Sequence, residues 1–210
     1  MKSENGRSMV EMLGVLAIIG VLSVGAISGY SKAMFKYKLN KHTEQMNTLI
    51  NAVARNVHSF DNFKYGQTMI TPYLIKMGEI PTEMVKDDDD DVVYDIFGHT
   101  WYIYTYDFYI YLVQFSEDSA SFFASSSPNA LSICQNILTI SKGYSDTIHT
   151  VSTQMASHTF KYIFGDKVCN AAHDMGYKCF KDLTLNDIYT ICAEYDKGDV
   201  GMFQLVWERR

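Results

Sequence analysis

Between Met12 and Gly29 the chain reads MLGVLAIIGVLSVGAISG, eighteen residues without a charge. As a helix this stretch would be about 27 Å long, close to the hydrocarbon thickness of a bilayer. It is predicted to cross a membrane, so whatever follows must fold as a body attached to it. Lys2, Glu4, Arg7 and Glu11 cancel within the first 30 residues, and the net charge of -6 therefore belongs to residues 31–210. With 24 Asp and Glu against 18 Lys and Arg and no basic stripe, that body has no evident means of neutralising phosphates, which argues against nucleic acid as a partner. It has the size of one domain, and the chain's 47% apolar and 14% aromatic content is enough to fill a core.

Three readings compete for the amino-terminal segment: a cleaved secretory signal, a plain anchor, or a helix that spans a membrane and later packs into an assembly. Glu11 separates them. A signal peptide has a basic start and an apolar core of about 7–15 residues, whereas here an acid abuts a longer core. A plain anchor gains nothing from a carboxylate that costs on the order of 2.5 kcal/mol if it lies deep in hydrocarbon. Such a residue calls for a partner. Gly25 and Gly29 form a G-x-x-x-G, which allows close helix approach in a membrane, although Gly is also frequent in spanning helices generally.

The run Gly6-Arg7-Ser8-Met9-Val10-Glu11, followed by the apolar stretch, resembles the amino-terminal signature of type IV pilins and of the pseudopilins of type II secretion. In that family a short polar leader ends in Gly and the fifth residue after it is Glu, a spacing that Gly6 and Glu11 keep. Where the family most often has Phe or Met after the cut, this chain has Arg7. The resemblance implies that a prepilin peptidase cuts after Gly6 and methylates the new amino group on Arg7. It assigns Glu11 to assembly, paired with the amino terminus of a neighbouring subunit. The implied partners are copies of the chain and other pilins, the peptidase, the pilus assembly or secretion machinery, and the inner membrane. The implied location is a single-pass inner-membrane protein with an extracytoplasmic head, passing into an extracellular pilus or a periplasmic pseudopilus. No enzymatic activity and no cofactor are expected.

Met46, Leu49, Ile50, Val53, Ala54, Val57 and Phe60 recur at helical spacing and no Pro precedes Pro72, so one helix is predicted from about Ser8 to Ser59. The expected divisions are a leader at 1–6, a membrane or filament-core half-helix at 7–30, an amphipathic half at 31–59 and an α+β head at 60–210. The expected fold is a long helix packed on an antiparallel sheet, pilin-like. Lys32, Lys36, Lys38 and Lys41 follow the span, against Lys2 and Arg7 before it, which by the positive-inside rule would put the body in the cytoplasm. The resemblance and the cysteines favour the opposite side, with the lysines snorkelling or meeting acidic patches on neighbours.

Residues 60–91 read as a loop with a helical piece at Tyr73–Met77. Asp87 to Asp91 read as a solvated charge run, with a calcium loop as the sharper alternative. Val92–Ile96, Thr100–Thr105 and Tyr109–Phe115 read as strands of a meander whose tyrosines pack on a sheet, the alternative being a stacking platform for a ligand. A helix is expected after Ser127-Pro128 until Gly143, a strand at Thr159–Phe164, a short helix from Thr184 with a capping box to Asp187, and a final strand from Gly201 to Trp207.

Cys134, Cys169, Cys179 and Cys192 allow three connectivities. In pilins a carboxyl-terminal pair staples the last loop to the sheet. The preferred pairing is Cys134 to Cys192, joining the two helices, with Cys169 to Cys179 closing a local loop. No metal site is assigned. The alternative is tetrahedral zinc on Cys169, His173, Cys179 and Cys192 in a cytoplasmic body, although paired C-x2-C knuckles are absent. H-E-x-x-H, phosphate-binding Gly loops and G-x-S-x-G are also absent, and the six histidines are scattered. Cys134 with His149 or His158 is the weaker option of a hydrolase pair.

Overall fold

From Met9 the backbone is helical for 48 residues (α1, Met9–Asn56) in a computed structural model that describes residues 9–63, 66–86, 90–115, 129–154, 160–193 and 203–209. Glu11 in its first turn and Arg55 in its last complement the helix dipole. The helix tightens into a 3-10 turn at Val57–Phe60, so the predicted helix end at Ser59 is reached in a different geometry. The chain forms two units, one up to Asn40 and one from Lys41 to Arg210, and their boundary falls inside α1.

In the second unit the elements after α1 are β1 (Gln67–Met69), α2 (Thr71–Lys76), β2 (Val92–Tyr94), β3 (Thr100–Tyr106), β4 (Tyr109–Phe115), α3 (Ala130–Lys142) and β5 (Thr150–Gln154). There follow β6 (Phe160–Phe164), α4 (Cys169–Asp174), β7 (Lys178–Cys179), α5 (Leu185–Ala193) and β8 (Phe203–Glu208). The strands build one sheet in the order β1-β3-β4-β8-β5-β6-β7, with β2 also on β3, and every pairing is antiparallel except β6 with β7. The fold is α+β, as expected, with the part of α1 from Lys41 onward packed against the sheet.

Alternation along the strands sends one set of side chains inward. Trp101, Ile103 and Thr105 of β3 are buried while Tyr102 and Tyr104 are half-buried and Tyr106 is exposed. Register then carries a row of buried aliphatic residues across five strands: Ile103, Leu112, Leu205, Val151 and Ile163. Met46, Leu49, Ile50 and Val53 of α1, and Ile133, Ile137 and Leu138 of α3, belong to the same core. On the outer face Tyr104 and Tyr111 stack with centroids 5.1 Å apart, so these tyrosines pack partly on one another.

Differences from the expected elements have local causes. Thr71-Pro72 starts α2 two residues early because Pro is pre-set for the first helical turn and Thr71 Oγ1 also bonds the β3 backbone at Ile103. β1 lies inside the stretch read as a loop. β5, TVSTQ, carries too few apolar residues to announce a strand, yet it fills the centre of the sheet between β8 and β6. Gly165 follows β6 where a Cβ would fall 1.8 Å from Ile148 O, so only glycine permits that approach. Asp87–Asp89, Ser127-Pro128, Thr159 and Gly201 lie outside the described residues.

Cys134 is bonded to Cys192, joining α3 to α5 across 58 residues, and Cys169 to Cys179, closing a 10-residue span. These are the preferred pairs. Loop entropy makes the longer closure worth about 4 kcal/mol and the shorter about 2.7 kcal/mol. Cys134→Ala/Cys192→Ala should therefore lower unfolding free energy more than Cys169→Ala/Cys179→Ala. Urea denaturation of the two double variants checks the order.

Candidate functional site

The described part of the first unit is helix. Met12, Leu13, Val15, Leu16, Ile18 and Ile19 are each more than half exposed, and Val21, Leu22, Val24 and Ile27 continue the pattern. These positions cover every side of a helix with 3.6 residues per turn, so no polar stripe remains to face water. A Cβ added at Gly14, Gly20, Gly25 or Gly29 would meet nothing within 4 Å, which leaves these surfaces open to a neighbouring helix. The helix is long and apolar enough to span a membrane. Glu11 sits in its first turn, at the end of the apolar run. Gly6 and Arg7, the expected processing site, lie outside the described residues.

Lys41 opens the second unit. Its ammonium lies 2.8 Å from Glu83 and 3.5 Å from Glu44, and the bond to Glu83 raises its pKa. One lysine of the basic flank is thus engaged by acids of its own domain.

One residue further on begins a polar network that the sequence reading missed. Asp95 is buried in the turn after β2. Its Oδ1 accepts from the backbone N–H of Phe97 at 2.8 Å and of His99 at 3.0 Å. Its Oδ2 accepts from Trp101 Nε1 at 3.1 Å and faces His99 Nδ1 at 2.9 Å. His42 Nε2 of α1 stands 3.5 Å from the same oxygen, long for a hydrogen bond, so that contact is electrostatic. Burial pushes the Asp95 pKa up, but His42 and His99 together outweigh it and hold the carboxyl well below the usual carboxylate range. His42 Nδ1 lies 2.9 Å from Asn136 Nδ2 of α3, and Thr43 donates to Asn136 Oδ1 at 3.0 Å. Gln45 Oε1 accepts from Ile96 N at 2.8 Å. The network ties α1, the β2–β3 turn and α3 into one unit. Its signal in the sequence was Asp95 three residues before Gly98, an Asx turn closed by a glycine at φ +87°.

The cysteines occupy two separate places. Cys192 is bonded to Cys134, which removes it from the alternative zinc set. Cys169, His173 and Cys179 do converge, and the fourth group beside them is Asp182. Cys134 is buried and oxidised, so it is no nucleophile for His149. That histidine lies between the rings of Tyr109 and Phe164, and burial pushes its pKa down. His158 lies outside the described residues, as do three of the five carboxylates of the calcium alternative.

Compared with protein-family models, with curated proteins and with solved structures, the chain matches none.

Removing the Asp95 charge leaves buried donors unanswered. Asp95→Asn should cost about 3–5 kcal/mol of stability at pH 7. Because the folded carboxyl titrates below the unfolded value of about 3.9, its contribution is complete above pH 4–5 and is lost on further acidification. The difference between parent and variant in urea denaturation should therefore shrink between pH 5 and pH 3.

Proposed function

We propose that the chain is a structural subunit of a type IV pilus or a pilus-like filament, without catalysis of its own. The observation that carries this reading is the apolar helix exposed around its girth and headed by Glu11, five residues after Gly6. A helix of that kind is at home in a bilayer, and equally in a bundle of its own copies once it leaves one. Two disulfides suit a head on the oxidising side of the membrane.

In this mechanism the prepilin peptidase removes residues 1–6 and methylates Arg7. The subunit waits in the inner membrane and is then drawn into a filament by the assembly machinery. The Glu11 carboxylate, within a low-dielectric bundle, pairs with the amino terminus of the next subunit and sets register. Within the family, a type II secretion pseudopilin or a minor pilin is the second form of the same reading.

A monomeric membrane-anchored binding module is the reading from another class. The observation in its favour is the outer sheet face, where Tyr109, His149, Phe164 and Tyr177 follow one another at ring separations of 5.3–6.4 Å.

Glu11→Ala should be processed normally and assemble poorly. Loss of one partner of a desolvated charge pair costs about 2 kcal/mol or more, which is about 30-fold in subunit affinity. Cysteine crosslinking through residues 9–29 of membrane and sheared fractions measures this. Neighbours joined in the parent and lost in the variant support the filament; a parent that never crosslinks supports the module instead.

A further inference from the structure

We propose that Cys169, His173, Cys179 and Asp182 form a redox-gated zinc site, filled when the Cys169–Cys179 bond is reduced and emptied when it forms. The inference is independent of the filament reading.

The geometry begins with α4. Cys169 and His173 are four residues apart on this helix, which puts both on one side of it. A turn at Gly176, with φ +80°, brings the chain back so that β7 delivers Cys179, and the 3-10 turn at Phe180–Asp182 delivers the carboxylate. One ligand atom from each residue lies within 4.8 Å of all the others. His173 Nε2 is 3.6 Å from Cys169 Sγ and 2.6 Å from Asp182 Oδ2, and Cys169 Sγ is 4.0 Å from that oxygen.

The Cys169 sulfur and the Asp182 carboxylate approach the same imidazole nitrogen. A proton relay from thiol through imidazole to carboxylate needs them on opposite nitrogens, so this is not a nucleophile with its base. One imidazole nitrogen, two sulfurs and one carboxylate oxygen within 4.8 Å of one another are the donor set of a tetrahedral site for a borderline-soft cation, with the His173 proton moving from Nε2 to Nδ1 when the ion takes its place beside Asp182. The sulfurs are buried against Ala172 and Phe164, whereas the side chains of His173 and Asp182 are 44% and 45% exposed. The ion therefore has a solvent path over its nitrogen and oxygen ligands and an apolar wall behind its sulfurs.

Reduction frees the sulfurs to separate to about 3.8 Å, the edge of a tetrahedron with metal–sulfur bonds of about 2.3 Å. The exchange balances. The zinc dithiolate gives two electrons to a small-molecule disulfide, the Cys169–Cys179 bond forms, zinc leaves as the divalent ion, and two protons are taken up by the two thiols released. A dithiol reductant with zinc drives the reverse. Either closure holds the same 10-residue loop.

The test uses the full chain in detergent, oxidised and reduced by a phosphine, titrated with zinc and with cobalt. The expected result is one zinc per reduced chain, a thiolate-to-cobalt charge-transfer band, and protection of Cys169 and Cys179, but not Cys134 and Cys192, from alkylation. His173→Ala and Asp182→Ala should each weaken binding about 10-fold or more. Equal zinc binding by the oxidised chain, protection falling on Cys134 and Cys192, or undiminished binding by both variants would overturn the proposal. Cys134→Ser/Cys192→Ser, in which only one pair can be reduced, repeats the test; no binding by this variant while its circular dichroism matches that of the oxidised parent also overturns it.

Discussion

A helix that is apolar on every side cannot be left in water, and a helix apolar on one side needs a surface to cover that side. Both demands are written into α1. Up to Met34 its large apolar side chains point in all directions and are exposed; from Lys41 the buried positions settle onto one stripe, Met46, Leu49, Ile50 and Val53. The stripe determines the sheet. Its inward rows must be aliphatic and in register, and the row from Ile103 to Ile163 crosses five strands to meet that demand.

Apolar contact is non-directional, so by itself it would let the helix slide. Two polar anchors prevent this. Near one end His42 stands beside Asp95 and Gln45 accepts from Ile96 N in the same turn, and sliding by one helical turn would break both contacts. At the other end Arg209, next to the last strand, donates to the carbonyls of Phe60, Phe63 and Asp107, while its own carbonyl meets His58 Nδ1 at 3.1 Å. A guanidinium suits this task because its rigid fork serves several carbonyls at once.

What was legible from residues alone was whatever repeats. The apolar run, the 3-and-4 spacing of α1, the β3–β4 hairpin and the Thr184–Asp187 box all carry local periodicity or local capping. In the box Asp187 Oδ2 accepts from Thr184 N at 2.9 Å and Thr184 Oγ1 from Asp187 N at 3.1 Å. What was missed owes its form to distant partners. Thr150–Gln154 is a strand because β8 and β6 flank it. His42 and Asp95 are 53 positions apart, and no spacing rule joins them. Cys192 was already claimed by the preferred pairing with Cys134, but that Asp182 takes the place beside His173 depends on the turn after β7, which no local spacing announces.

The margins of the sheet are short. Among the described residues, the outer flank of β3 is shared by β1 and β2, with three residues each, and the opposite margin is β7, with two. β3, β4, β8 and β5 are paired on both sides, whereas only Ile163 and Phe164 of β6 meet β7. Among the described residues, a neighbouring chain looking for a row of amides and carbonyls along a margin on which to add a strand finds short runs of two or three residues, on β1, β2 and β7 and at Phe160–Tyr162 of β6. A protein this rich in exposed apolar helix is thereby guarded against the fibrous, strand-on-strand aggregation that a long bare margin would invite, and contact between its copies is left to side chains.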